Sequence, residues 1–245
     1  MSGHSKWTQI KHKKAITDAK RGRLFSKILR EIFIAARTGV PNPEANPRLR
    51  SAVERAKSQG LPKDTIERAI AKASGDSDAA ELQEFLYEAT APGGIVMLIE
   101  GITDNKNRSF AEIRHILSER GAKIADPGSV LWSFDKIGTL LCAEDDNTKK
   151  TKEDIELAII EAGATDFHAH KGVWYIETLF TEVDKVKHAI ELADIIVKES
   201  GHDYKPKNLL SLPARERDMI EPLLDALINH DDVHEAYTNL IPLVL

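Results

Sequence analysis

A single cysteine, Cys142, stands in a chain of 245 residues. No internal disulfide can form, so the chain is expected in a reducing, cytoplasmic compartment. Long hydrophobic runs are also absent. Gly94–Ile99 is among the longest, far short of the about 20 residues that span a bilayer, and no membrane partner is expected. The first fourteen residues carry four lysines and two histidines with no apolar stretch behind them, which is not the pattern of a secretory signal. There is no Walker loop, no GxGxxG, no HExxH and no Cys-x-x-Cys, so no motif points to nucleotide, dinucleotide or zinc chemistry. What is present is ordinary for a folded protein: 42% hydrophobic and 30% charged residues.

The net charge of −5 hides a division. Residues 1–75 hold 17 Lys/Arg against 6 Asp/Glu, a net of +11, and residues 76–245 hold 17 against 33, a net of −16. A polyanion would be drawn to the first part and repelled by the second. A solvated surface that keeps the chain soluble would give the same count, so the arrangement of the charges has to decide.

Residues 1–23 show no steady apolar period and read as a basic arm. From Leu24 the pattern is helical: Leu24, Phe25, Ile28, Leu29, Ile32, Phe33 and Ala36 share one face. Lys20, Arg23, Lys27, Arg30 and Arg37 fall within an arc of about 100° opposite, interrupted only by Ile34. A stripe of one sign forgoes the usual i,i+4 ion pairs and favours an anion-binding surface. Asn46-Pro47 caps a second helix with Leu49, Ala52, Val53 and Ala56 inside, and Gly60 and Pro62 separate it from a third with Ile66, Ala69, Ile70 and Ala73 inside. The Gln59–Pro62 joint resembles a helix-turn-helix corner. Asp64 and Glu67 at the start of the third helix would meet phosphates unfavourably, so the arm and first helix are the better contacts.

After Gly75 the period changes. Glu84–Thr90 and Ile95–Gly101 read as strands joined by a hairpin at Ala91-Pro92-Gly93-Gly94. Ser109-Phe110-Ala111-Glu112 reads as a capping box opening a helix, and Ser129–Phe134 as a further strand. A βαββαβ unit of ferredoxin-like order follows. Its strands are expected at Gly138–Ala143, Thr165–His170, Val173–Thr178 and about Asp203–Leu209. Its helices are expected at about Lys152–Ala162 and Glu182–Glu199, each opened by a Thr-x-x-Asp box at Thr151 and Thr181. A helix at about Ala214–Asn229, kinked or restarted at Pro222, and a strand Val233–Leu240 complete the pattern. The expected fold class is α+β: an N-terminal three-helix basic domain followed by two α+β domains of ferredoxin-like type, the last inserted in the middle one. The boundaries are 1–23 for the arm, 24–78 for the helical domain, 79–135 plus 210–245 for the discontinuous domain and 136–209 for the insertion.

Catalytic candidates are few. Cys142 ends an apolar strand and reads as buried. Asp145-Asp146 and Asp231-Asp232 are neighbours whose side chains diverge, which suits turns and solubility rather than acid–base work. His168 and His170 share a strand face, with His202 as a distant third donor, too few for a convincing zinc set. No catalytic residue, metal or cofactor is assigned. The nucleic-acid contacts are placed at Lys6, Trp7, Lys11, His12, Lys13, Lys14, Lys20, Arg21, Arg23, Lys27 and Arg30, with Trp7 either stacking on a base or anchoring the arm.

These residues also carry a resemblance. Gly3-His4-Ser5-Lys6-Trp7, Ile10-Lys11-His12-Lys13-Lys14, Asp18-Ala19-Lys20-Arg21-Gly22, Phe25-Ser26-Lys27, Ala45-Asn46-Pro47-Arg48-Leu49-Arg50 and Pro62–Ile70 closely resemble the YebC/PmpR family. So do Tyr87-Glu88, Pro92-Gly93-Gly94, Thr103-Asp104-Asn105 with Asn107-Arg108, Gly128-Ser129-Val130 and Asp231-Asp232-Val233, in order over nearly the whole chain. The resemblance implies a three-domain, non-enzymatic protein without a cofactor or small-molecule substrate, whose bacterial members are described as DNA-binding transcriptional regulators. It also implies an alternative: mitochondrial relatives activate translation, and bacterial ones are linked to ribosomes stalled at proline runs. The expected partners are therefore DNA or RNA, the ribosome included.

Overall fold

A computed structural model of the chain describes residues 18–75, 82–144 and 149–241. Among these are seven α-helices and eight strands in two four-stranded sheets. In chain order they are α1 (Asp18–Thr38), α2 (Pro47–Ser58), α3 (Lys63–Gly75), β1 (Gln83–Ala91), β2 (Ile95–Thr103), α4 (Lys106–Ser118), β3 (Lys123–Ile124) and β4 (Phe134–Ala143). Then come α5 (Lys152–Glu161), β5 (Asp166–His170), β6 (Val173–Leu179), α6 (Val183–Leu192), β7 (Glu199–Pro206), α7 (Ala214–Asn229) and β8 (Val233–Thr238). The fold is mixed helix and sheet, with a helical region ahead of the sheets. Among the described residues no helix is long and apolar enough to cross a membrane.

Two compact units are formed, and the described residues divide as 18–34, 82–135 and 205–241 in one and 35–75, 136–144 and 149–204 in the other. The division falls inside α1, between Ile34 and Ala35, so the helical segment expected over 24–78 is shared between them.

The first unit is built on the sheet β3-β1-β2-β8. β1 and β2 pair antiparallel from Gln83↔Thr103 to Ala91↔Ile95. Their Pro92-Gly93-Gly94 turn needs positive φ at Gly93 (78°) and Gly94 (81°), which glycine adopts without a Cβ penalty. One sheet face is covered by α4 and α7: Phe85, Met97 and Ile99 pack with Ile113 and Leu117 and with Leu223, Leu224 and Leu227. α7 runs through Pro222 as one element rather than restarting, the proline lying on its exposed side.

The second unit carries the sheet β5-β6-β4-β7, the ferredoxin-like order, with α5 and α6 on one face. Leu140, Cys142, Trp174 and Ile176 meet Ile155, Ile159, Val186 and Ile190. The expected box at Thr151 is formed: Asp154 N–H donates to Thr151 Oγ1 (3.1 Å) and Thr151 N–H to Asp154 Oδ2 (2.9 Å). At α2, Asn46 Oδ1 accepts from Leu49 N–H (3.1 Å) while its amide donates to the Ala35 and Val40 carbonyls. The residues expected inside α2 are buried.

Four local expectations are corrected. Of the residues expected as a strand over 129–134 only Phe134 is in one, as the first residue of β4; residues 129–133 are a turn and a 3₁₀ segment, Leu131–Ser133, because the Glu88 carboxylate draws the amides of Gly128, Val130 and Leu131 toward β1. Ser109 does not cap its helix. Asn105 does, accepting from Arg108 N–H (3.1 Å), and Ser109 lies one turn inside on the buried face. α6 ends at Leu192, turned by Asp194 at φ 57°, and β7 begins four residues before the expected Asp203. Thr181 lies in the 3₁₀ turn Phe180–Glu182 that precedes α6 and does not cap it, the cap position falling to Glu182.

Candidate nucleic-acid interface

Six expected contacts, Lys6, Trp7, Lys11, His12, Lys13 and Lys14, lie outside the described residues, and Lys20 lies on α1. Arg21 is exposed, its guanidinium 5.5 Å from the Phe25 ring centroid. The rest of the stripe is not the free surface the helical wheel implied. Arg23 Nη1 donates to the Asn229 carbonyl (3.3 Å) and Lys27 Nζ to that of Ile228 (2.7 Å). Those are the last residues of α7, where carbonyls without an intrahelical partner and the negative dipole end attract cations. Arg30 Nη1 reaches Asp232 Oδ1 (2.6 Å) and the Asp231 carbonyl (3.2 Å). Periodicity found the apolar face of α1, with Ile28, Ile32, Phe33 and Ala36 buried, although Ile34 on the cationic face is buried as well. It could not show that the cationic face has a partner in its own unit, since that partner lies about two hundred residues away.

Asp232 is the centre of this arrangement. Its side chain is almost inaccessible, 3% exposed. Oδ2 accepts from Arg108 Nη2 (2.9 Å), Ser109 Oγ (2.7 Å) and Thr103 Oγ1 (3.2 Å), and Oδ1 accepts from Arg30. Burial alone would raise the carboxyl's pKa; Ser109, Arg108 and Arg30 outweigh it and hold the group far below the usual carboxylate range. Arg108 also pairs with Asp104 (2.8 Å). Gly101 has no room for a Cβ, which would run into the Asp232 carbonyl oxygen; that carbonyl accepts from Ile102 N–H at 2.9 Å beside the bulge between β2 and β8. Thr103-Asp104-Asn105, Arg108-Ser109 and Asp231-Asp232 thus meet at one place.

Around it opens a cleft of about 640 Å³, bordered by Arg23, Arg30, Arg108, Glu112, His115 and His230. His230 Nδ1 accepts from Asp232 N–H (3.2 Å), so Nε2 carries the proton and donates to Glu112 Oε2 (2.9 Å). Glu112, His230 and Asp232 offer three donor atoms within 4.8 Å of one another. Both Asp232 oxygens are already taken, and two guanidiniums stand beside them, so the chemistry fits a hydrogen-bonded network rather than a cation site.

The other candidates separate. His168 stacks on Tyr175 (5.1 Å) while His202 lies against Phe180 (4.5 Å), and among the described residues they form no three-donor group. Burial pushes the Cys142 thiol up to about 12, which leaves no thiolate for nucleophilic work. Sequence reasoning missed Asp232, read as a turn residue, and Ser109, read as a cap. One signal was available: Ser109, Ile113 and Leu117 recur at i, i+4 and i+8, so a hydroxyl on the buried face of α4 needed a partner.

Comparison with known proteins points one way. Models of the TACO1/YebC protein N-terminal domain and of the TACO1/YebC second and third domain match residues 5–76 and 82–240. A protein of Desulfatibacillum aliphaticivorans is 44% identical over 240 residues, 98% of this chain and 96% of its own, and carries the name probable transcriptional regulatory protein. One of Caldanaerobacter subterraneus subsp. tengcongensis, with the same name, is 41% identical over 98% of both chains. The crystal structure of a conserved hypothetical protein from Aquifex aeolicus superposes with a TM-score of 0.88 at 37% identity, over 98% of this chain and 99% of that one.

Proposed function

The chain belongs to the TACO1/YebC family, and from that premise we propose that it is a non-enzymatic, nucleic-acid-binding regulator of gene expression, a DNA-binding transcriptional regulator that grips phosphates with its basic N-terminal arm and the start of α1. The observation that carries this reading is the charge division: net +11 over residues 1–75 against −16 over the rest. Lys6, Lys11, Lys13, Lys14, Lys20 and Arg21 neutralise phosphates and release counterions, with Trp7 and His12 among them, and affinity falls steeply with salt. Arg23, Lys27 and Arg30 act one step back, holding α1 in place through α7 and Asp232.

The test is retardation of a duplex and of a transcript in a gel at low ionic strength, followed by a salt titration. Binding that weakens linearly in log–log form supports the reading. Failure to retard either polymer overturns it.

A second reading, a ribosome-associated factor that relieves stalled elongation, is favoured by one observation. α3, which follows the helix-turn-helix-like corner, opens with an exposed Asp64 and carries Glu67, so it is poorly made to read bases in a groove. Folded RNA is recognised by shape and by unpaired bases and needs no such helix. Cross-linking in cells followed by sequencing of the bound DNA and RNA decides between promoter and ribosome.

A further inference from the structure

Trp132 is the most exposed aromatic side chain among the described residues, with 66% of its surface open. Single exposed apolar residues are common and need no explanation. This one is different in how it is held. It stands in the loop of residues 125–133, and that loop is fixed from beneath by a buried charge. Glu88, 6% exposed, receives the amide N–H groups of Gly128, Val130 (2.5 Å) and Leu131 (2.8 Å). Burial alone would raise its pKa, but the three amides together hold it below the ordinary carboxylate value. Val130 is buried between them. Ser133 donates from both N–H (2.9 Å) and Oγ (2.5 Å) to the Val130 carbonyl, Ser129 N–H to that of Asp126 (3.1 Å), and Lys207 N–H to that of Ser133 (2.9 Å).

The indole itself is tied down. Its Nε1–H donates to the Ser129 carbonyl at 2.7 Å. Its one polar group is therefore satisfied inside the loop, and what it offers outward is ring surface alone. Of its neighbours in sequence, Gly128, Ser129 and Ser133 carry little or no apolar side chain, while Leu131 beside it is 37% exposed. A rigid, flat ring suits a flat partner. Lys207, beside the loop, pairs with Asp135 at 3.5 Å; both side chains are about half exposed, and such a pair yields readily to a phosphate.

We propose that Trp132, presented by the Glu88-anchored loop, is a stacking platform for an unpaired nucleobase of a single-stranded nucleic acid. This rests on the nucleic-acid reading above and adds to it a second contact that selects single strands over duplex; lying in the part of the chain whose net charge is −16, it acts by stacking on a base and not by net charge. Stacking needs no base identity, because every base has a π-face, so the contact is indifferent to sequence.

The test measures binding of the full chain to a labelled uridine homopolymer and to a duplex of equal length, for the wild type, Trp132→Ala and Trp132→Phe. Trp132→Ala is expected to lose about 5- to 150-fold in single-strand affinity, the range that base–aromatic stacking spans. Trp132→Phe should keep most of it, and duplex affinity should not change in either variant. Unaltered thermal unfolding of both variants, expected for so exposed a side chain, confirms that they fold. Wild-type single-strand affinity in Trp132→Ala overturns the proposal and leaves the nucleic-acid reading standing. An equal loss on duplex and single strand overturns it too. If the wild type binds neither probe, the nucleic-acid reading itself fails and this falls with it. Retained affinity together with lost self-association in ultracentrifugation overturns it by giving the ring to a second copy of the chain.

Discussion

Asp232 and Glu88 are both nearly inaccessible carboxylates of the first unit, yet they are satisfied in different ways. Asp232 collects side chains from three elements: Arg30 of α1, Arg108 and Ser109 of α4, and Thr103 of β2. Glu88 collects backbone amides from one loop. The first arrangement sets charge against charge and joins distant segments. The second sets charge against peptide dipoles and shapes one local segment. A buried ion paired with other ions leaves those ions uncompensated when it is removed. A buried ion held by amides leaves only neutral donors behind.

That contrast can be broken by substitution, the largest effect first. Asp232→Ala should cost about 3–5 kcal/mol in chemical denaturation, since two guanidiniums lose their buried partner; a loss near zero would mean that solvent replaces it freely. Glu88→Gln should cost less, about 2–3 kcal/mol, because the amide's NH₂ faces loop N–H groups that need an acceptor. The loop should also become protease-sensitive in this variant while the Asp232 cluster remains intact.

Acid sharpens the comparison. Both groups titrate lower in the folded protein than their ordinary values of 3.8 for Asp232 and 4.5 for Glu88. The stability they contribute is complete above those values and is lost as pH falls through the lower folded ones. Denaturation midpoints measured from pH 6 downward, roughly two units above the ordinary carboxylate range, should drop for the wild type below about pH 4.5 and less steeply for Glu88→Gln. Two single reversals on α1 complete the series. Lys27→Glu should cost about 1–2 kcal/mol by setting a carboxylate against the carbonyl end of α7. Arg21→Glu should leave the unfolding midpoint in place and lower the salt slope of nucleic-acid binding by about 1.

Much of the fold was legible in the sequence because local rules agreed with tertiary ones. The hairpin at Pro92-Gly93-Gly94, the box at Thr151 and the βαββαβ order each follow from residues within one turn or one strand of each other. At two of the places where the reading failed, a distant partner had overridden the local pattern. Ser129–Phe134 has the composition of a strand, but Glu88, some forty residues earlier, claims the amides of Val130 and Leu131. Ser109 fits a capping box, but Asp232 claims its hydroxyl. The candidate interface was legible only as charge. That Arg23, Lys27 and Arg30 are engaged within their own unit depends on the end of α7, which no periodicity on α1 reveals.

The lone thiol has a use that follows from where it lies. Cys142 is fully enclosed in the second unit, cross-strand from Trp174, and its proton is held until about pH 12. An alkylating reagent can reach it only when that unit opens. The rate of modification therefore reports the opening of the second unit, and it needs no engineered label.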